Sequence, residues 1–263
     1  MPGEEAAASL QRARSASADD LELLIQEAAA DTLIALLENP NMQEPQVSRL
    51  LERLDLSTEI LSAVAKDGKW IGSESIRFRL ARHPRTPSRI AISMLRQLYL
   101  FDLVRVSLLP SAPADIRRAA EELIVTRVPH LPIGEKLTLA RRGPARVAAA
   151  VLAEGHPQAV KLALSNSQLT EGQILKILAK PGVPARVVTA ISQHAKWSVQ
   201  YNVRVALLRH PHTPVPAVLQ FLRDITLRDL KDALTLEELT PHFRKYIEQE
   251  LTRRADSEKQ DIP

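Results

Sequence analysis

Two twelve-residue stretches of the chain end in the same motif, His-Pro-x-Thr-Pro. They are IRFRLARHPRTP at 76–87 and VRVALLRHPHTP at 203–214, and they start 127 positions apart. Because the residue before a proline is disfavoured in the α conformation, a helix that enters the motif must end at the histidine. The threonine is held extended before the second proline, where it is suited to cap the next helix. Each motif therefore predicts a helix end and a helix start within five residues.

The similarity between the two stretches extends well beyond the motif. Without a gap, residues 60–127 and 187–254 share 19 identities over 68 positions. Trp70 pairs with Trp197 in this alignment. An ungapped match of this length indicates a tandem duplication.

The composition favours short helices separated by prolines. The chain has 18 prolines but only 8 glycines, and 2 Trp, 3 Tyr and 4 Phe are its only aromatic residues, which is poor for a β-sandwich. Between the proline stops lie segments of helical spacing that are too short to be stable alone but can bury a continuous core when stacked. The sequence thus predicts an all-α protein, an α-solenoid (a superhelix of short stacked helices) built from two tandemly duplicated halves.

The expected domain boundaries follow from this duplication and from the composition of the ends. We expect a mobile N-terminal arm at 1–18, a single solenoid domain at 19–254 and a C-terminal tail at 255–263. Within the solenoid we expect halves at about 20–127 and 160–254, joined by a helical insert at 128–159.

The two motif stretches, each followed by an apolar helix, resemble the leucine-rich repeat variant pattern. In that pattern a Val-Arg-x-x-Leu/Val helix ends at Asn/His-Pro-x-Thr-Pro. The junctions ALLENPNMQEP at 35–45 and LALSNSQLTEG at 162–172 keep part of it, and the chain is similar more generally to HEAT-like α-solenoids. The resemblance implies a curved superhelix that serves as a binding surface. The iron-sulfur association of the leucine-rich repeat variants depends on a cysteine cluster, and this chain has no cysteine.

Charge is distributed unevenly along the chain, although its net value is only +4. Residues 1–60 carry 12 acids and 4 bases, residues 61–223 carry 9 and 24, and residues 224–263 carry 10 and 7. No acid occurs between Glu74 and Asp102 or between Glu171 and Asp224. Such a basic middle would attract polyanions, acidic protein segments or the acidic N-terminus of the chain itself.

The sequence shows no pattern typical of an enzyme or a metal site. It has no phosphate loop, dinucleotide fingerprint or nucleophile elbow, and a proline separates the two closest histidines, His210 and His212. We therefore expect no catalytic residue, no cofactor and no metal, with His83 and His210 acting as helix C-caps. Since no segment looks like a signal peptide or a membrane span, we expect a cytoplasmic protein.

Two further pairs of recurring residues leave alternatives open. Arg77 and Asp102 recur as Arg204 and Asp229, 25 residues apart in each case, either as an ion pair between successive helices, as separate caps or as ligand anchors. The two tryptophans fit buried anchors between repeats better than exposed stacking platforms for bases.

These features predict a non-enzymatic interaction scaffold whose basic concave surface binds an acidic protein partner. The alternative is a nucleic-acid-binding protein that contacts mainly the phosphate backbone, or a DNA repair glycosylase of the HEAT-like type. The sequence leaves the oligomeric state open. The residues expected to contact the partner are Arg79, Arg82, Arg85, Arg89, Arg186, Arg209 and Arg223.

Overall fold

The computed structural model describes residues 2–27, 29–236 and 239–260, and this part of the chain contains helices and no strand. The prediction of an all-α protein is therefore confirmed. The chain divides into two compact units, residues 1–126 and residues 127–263.

The first unit consists of short helices, mostly seven to ten residues long, between two longer ones. Their bounds are α1 Pro2–Ser15, α2 Ala18–Glu27, α3 Ala30–Leu37, α4 Glu44–Leu50, α5 Thr58–Lys66, α6 Gly68–Ile71, α7 Glu74–Arg82, α8 Ser88–Arg96, α9 Leu100–Leu108 and α10 Ala114–Arg127.

The second unit begins with a 3-10 turn and continues with helices of similar length. The 3-10 turn is Val128–His130, and the helices are α11 Ile133–Arg142, α12 Ala145–Ala153, α13 Pro157–Leu164, α14 Glu171–Leu178, α15 Ala185–Gln193, α16 Tyr201–Leu208, α17 Val215–Leu222, α18 Leu227–Leu234 and α19 Pro241–Gln260. Most helices of the second unit begin 127 positions after a helix of the first unit. The matching pairs run from α3 and α13 to α10 and α19.

Helices that alternate along the chain pack side by side in each unit. In the first unit α1 contacts α3 and α3 contacts α5, while α2 contacts α4, α4 contacts α7 and α7 contacts α9. In the second unit α11, α13 and α15 form one such series, and α12, α14 and α16 form the other. Each unit thus contains two alternating series of helices, and aliphatic side chains such as Leu80 and Leu207 are completely buried.

The helix ends follow the prolines as predicted. Helix α7 ends at Arg82 with His83 as its C-cap, and α16 ends at Leu208 with Arg209 as its C-cap. The threonine does not cap the next helix, however. The Thr213 hydroxyl donates to the backbone oxygen of Leu207, 2.6 Å away in the preceding helix, and the N-cap of α17 is Pro214.

Helices reach both ends of the described part of the chain. At the N-terminus, residues 2–15 form α1, which packs against α3, and Ala13 is completely buried. At the C-terminus α19 continues through residues 255–260, and residues 261–263 lie outside the described part. The region expected as an insert, 128–159, lies within the second unit.

Candidate partner-binding groove

Three of the four arginines predicted in the first unit contact other groups of the protein, and one of these contacts is an ion pair. The Arg79 guanidinium lies 2.8 Å from the Glu52 carboxylate, and Arg85 donates to the backbone oxygen of Asp55 over 2.9 Å. Arg82 lies beside the Phe78 ring, with 5.6 Å between the guanidinium carbon and the ring centre. Arg89, the fourth predicted contact residue of this unit, is exposed on α8.

Two of these arginines line a depression of about 310 Å³ in which acids and bases are balanced. Arg105 also lines it, and its guanidinium lies 2.8 Å from the Asp102 carboxylate. The charged lining residues are Glu52, Glu74, Asp102, Arg79, Arg82 and Arg105. Because three carboxylates face three guanidinium groups, this depression has little net attraction for an anion.

The arginines predicted in the second unit line three different grooves. Arg186 shares one with Lys136 and Glu154, which form an ion pair of 2.7 Å. Arg223 shares another with Glu250, whose pKa is lowered to about 2, mainly by its hydrogen bond from Arg253. Of these three grooves, the one lined by Arg209 has no acidic residue among its described lining residues.

This acid-free groove has a volume of about 640 Å³ and lies between the C-terminal parts of α14 and α16 and the loops that follow them. Its apolar wall consists of Leu175, Leu178, Val183 and small alanine side chains, and its basic wall comes from the two loops. The lining residues are Leu175, Leu178, Ala179, Lys180, Pro181, Gly182, Val183, Ala206, Arg209, His210, Pro211 and His212. We call this feature the α14–α16 groove.

The two permanent cations of the α14–α16 groove are exposed. Lys180 and Arg209 both lie at helix ends, and neither forms a salt bridge within the described part of the chain. The nearest acidic influence on Arg209 comes from Asp229, whose pKa is lowered mainly by hydrogen bonds from Tyr201 and Thr226 and to a smaller extent by Arg209. The groove therefore combines positive charge with apolar surface.

His210 adds a hydrogen-bond donor to this groove. Its Nδ1 atom accepts from the backbone N–H of His212 over 3.2 Å, so a neutral imidazole carries its proton on Nε2. Burial, followed by the charge of His212, lowers the pKa of His210, which keeps the ring neutral at pH 7. In the described residues the Nε2 atom has no protein acceptor, in contrast to that of His83, which bonds the Arg53 backbone oxygen at 2.7 Å.

Sequence reasoning found Arg209 but missed Lys180, His210 and His212 as parts of one groove. Lys180 belongs to the acid-free run that the sequence shows, but the sequence predicts His210 only as a helix C-cap and assigns no role to His212. The signal that could have found them is a basic residue beside a proline in each of two loops 29 positions apart, at 180–183 and 209–212. Only the packing of α14 against α16 brings these loops together.

The recurring arginine and aspartate do not form an ion pair. Arg77 donates to the backbone oxygen of Ile71 at 2.7 Å, and Arg204 donates to that of Ser198 at the same distance. Asp102 instead pairs with Arg105. In both units the arginine thus bonds the backbone of the segment that precedes its own helix.

The tryptophans are buried, as the sequence predicts. Trp70 is 3% exposed and Trp197 is 2% exposed, and the Trp197 indole donates to the Leu164 backbone oxygen over 2.9 Å. Neither ring is therefore available as a platform on which a base could stack.

In the residues that the structure describes, no cluster of three or more His, Asp or Glu side chains could hold a metal ion. No described helix combines the length and the apolar character needed to cross a bilayer. No family model, curated protein or solved structure matches the chain.

Proposed function

We propose that the protein is a non-enzymatic interaction scaffold of the α-solenoid type and that its α14–α16 groove binds an acidic segment of a partner protein. The observation that carries this proposal is a groove with an apolar wall and exposed cations whose described lining residues include no carboxylate. In a peptide-recognition site, apolar pockets supply affinity, while complementary charge supplies selectivity and a faster association rate.

The proposed architecture is a duplicated helical repeat. Equivalent contacts at the 127-residue offset support it: Asn39 donates to the backbone oxygens of Ala13 and Ala16, and Asn166 donates to those of Ala140 and Gly143. The side chains of this pair thus bind helix-end carbonyls at matched positions. Stacked repeats of this kind commonly present elongated surfaces on which other chains bind.

A labelled peptide of repeated Leu-Asp-Glu triplets tests the proposed function. We expect the full-length protein to bind it with a dissociation constant in the micromolar range, roughly −8 kcal/mol, in a fluorescence anisotropy titration. The matched control peptide has Leu-Asn-Gln triplets and should bind at least about tenfold more weakly, because it lacks the carboxylates. Equal affinity for the two peptides, or no binding of the acidic one, would contradict the proposal.

The nucleic-acid alternative is less well supported by the geometry. Both tryptophans are buried, and in the first unit Arg79 and Arg105 are paired with carboxylates. Electrophoretic mobility of generic duplex DNA at about 50 mM salt checks it. We expect no shift, whereas a shift that disappears at higher salt would favour a phosphate-binding protein.

A further inference from the structure

The α14–α16 groove has a counterpart in the first unit that carries charged side chains in place of small ones. The 127-residue offset defines this counterpart, between the helix pair α4 and α7, which occupy the same positions in their unit. Three lining residues of the groove are replaced there by larger, charged ones. Ala179, Gly182 and Ala206 correspond to Glu52, Asp55 and Arg79.

Two of these differences, Ala179 in place of Glu52 and Ala206 in place of Arg79, account for the open space. In the first unit Glu52 and Arg79 form an ion pair of 2.8 Å between α4 and α7. In the second unit only the methyl groups of Ala179 and Ala206 stand at these positions. The space that an ion pair occupies in one unit is therefore open in the other, next to the aliphatic side chains of Leu175 and Leu178.

The third difference, Gly182 in place of Asp55, removes a carboxylate, whereas the neighbouring position keeps a cation, Lys180 in place of Arg53. The Asp55 carboxylate accepts from Arg53 Nε at 3.0 Å and from Arg53 Nη2 at 2.7 Å, and these bonds are the main cause that lowers the pKa of Asp55 to about 2. Lys180 stands at the position of Arg53, but Gly182 stands at that of Asp55. The lysine of the groove thus lacks the carboxylate that its counterpart has.

The two units also differ at the histidine of the motif. His83 Nε2 has a backbone acceptor in the first unit, and His210 Nε2 has none in the described part of the second. His83 and His210 both accept a backbone N–H at Nδ1, so both present N–H at Nε2. That of His83 is taken by the Arg53 backbone oxygen, whereas that of His210 has no acceptor in the described residues, and the His210 side chain belongs to a residue that lines the groove. A ligand in the α14–α16 groove therefore meets a cation, a neutral donor and an apolar space together.

We infer that the groove recognises an acidic and apolar protein segment in which a carboxylate lies beside an aliphatic side chain. The carboxylate binds Lys180 in the role that Asp55 has in the first unit, and the aliphatic side chain enters the space between Ala179 and Ala206. This inference rests on the proposed function and specifies its ligand. In this proposal a partner supplies to the second unit the carboxylate and the space-filling side chain that the first unit has in its own sequence.

The double variant Ala179→Glu with Ala206→Arg tests the apolar half of this inference. It introduces the ion pair of the first unit, fills the space and leaves the net charge unchanged. We expect the double variant to bind the Leu-Asp-Glu peptide about tenfold more weakly than the parent protein does. The double variant should also bind the Leu-Asp-Glu peptide no more tightly than an Ala-Asp-Glu peptide. Undiminished affinity for the leucine peptide would overturn the inference.

The variant Lys180→Gln tests the carboxylate half. Since Lys180 is exposed, this substitution should leave the fold intact. We expect it to reduce the ratio between the affinities for the Leu-Asp-Glu and Leu-Asn-Gln peptides by about threefold or more. An unchanged ratio would mean that the carboxylate binds elsewhere and would contradict the inference.

A matched control lies in the first unit. Glu52→Ala with Arg79→Ala removes the same ion pair from the other unit, again without a change in net charge, and should leave the affinity of the α14–α16 groove unchanged. Circular dichroism and thermal melting establish that each variant is folded. If Ala179→Glu with Ala206→Arg does not fold, Ala206→Leu fills the space without charge and should give the same loss.

The outcomes separate the two proposals. If the parent protein does not distinguish the acidic from the neutral peptide, the proposed function itself fails. If the parent does distinguish them but the filled variant still prefers leucine over alanine peptides, the protein binds acidic partners through another surface. In that case only the assignment of the ligand to this groove fails.

Discussion

At the scale of single residues, buried side-chain amides connect distant parts of the chain. Asn166 Nδ2 donates to the backbone oxygens of Ala140 at 2.9 Å and Gly143 at 3.0 Å, and its Oδ1 accepts the backbone N–H of Gln168 at 2.7 Å. The residue is 3% exposed, so water cannot easily replace these bonds. Its amide therefore satisfies carbonyls at the junction of α11 and α12.

Replacing Asn166 with Ala should lower the free energy of unfolding by about 2–3 kcal/mol, because it leaves buried carbonyl oxygens without a donor. Urea unfolding followed by circular dichroism measures this change. Asn202→Ala is the control, since its exposed amide bonds only the Glu171 carboxylate and should cost less than about 0.5 kcal/mol. Similar losses in both variants would contradict the role given to Asn166.

At the scale of helices and junctions, the threonines of the two His-Pro-x-Thr-Pro motifs differ in one hydrogen bond. The Thr213 hydroxyl donates to the Leu207 backbone oxygen, whereas the buried Thr86 hydroxyl has no partner in the described part of the chain. Both threonines are nearly inaccessible to water, at 4% and 5% exposure. Two junctions with the same sequence motif thus offer a direct comparison of a bonded and an unbonded hydroxyl.

Thr213→Val should destabilise the protein by about 1 kcal/mol, because it removes a buried hydrogen bond, although the Leu207 oxygen keeps the backbone N–H of His210 as a donor at 3.0 Å. Thr86→Val should be neutral or slightly stabilising, since it replaces an unpaired buried hydroxyl by a methyl group. Thermal melting of the two variants beside the parent measures both effects. A larger loss for Thr86→Val than for Thr213→Val would show that the hydroxyl of Thr86 is bonded in solution.

At the scale of the whole molecule, each of the two units has its own buried core. Ile60 and Leu80 are completely buried in the first unit, as are Ile174 and Leu207 in the second. Short helices of this length gain most of their stability from packing on their neighbours rather than from intrinsic propensity. Because the α14–α16 groove is formed within residues 127–263, binding should require that unit alone.

We expect a fragment of residues 127–263 to fold into a helical unit and to bind the Leu-Asp-Glu peptide as tightly as the full chain does. A fragment of residues 1–126 should fold but should not bind, because its corresponding positions carry the Glu52–Arg79 ion pair and the Asp55 carboxylate. Circular dichroism checks the folding and fluorescence anisotropy checks the binding. Equal binding by both fragments would point to general charge attraction instead of a specific groove.

The helix boundaries near prolines could be predicted from the sequence to within about one residue. The conformational restriction that proline imposes is local, so the end of α7 before Pro84 needs no tertiary information. The packing of the chain's first residues could not be predicted, for the opposite reason. The acidic and alanine-rich composition of 1–18 suggests a mobile arm, but burial of Ala13 depends on α3, which follows much later in the chain.

The candidate site could be predicted only in part. The acid-free run from Glu171 to Asp224 is visible in the sequence and contains the groove's basic residues. Which arginines keep an uncompensated charge could not be foreseen, because the pairing of Arg79 with Glu52 crosses 27 positions. Charge compensation of this kind depends on the register between packed helices.

The sequence by itself determined that this chain forms short helices, where prolines end them, and that the middle of the chain is basic. These properties depend on the conformational limits of single residues and on composition, which do not require distant contacts. Only the tertiary structure decided that Ala179 and Ala206 leave a space where Glu52 and Arg79 fill one. A groove is defined by the atoms that are absent between two packed helices, and that absence arises only once the helices are in contact.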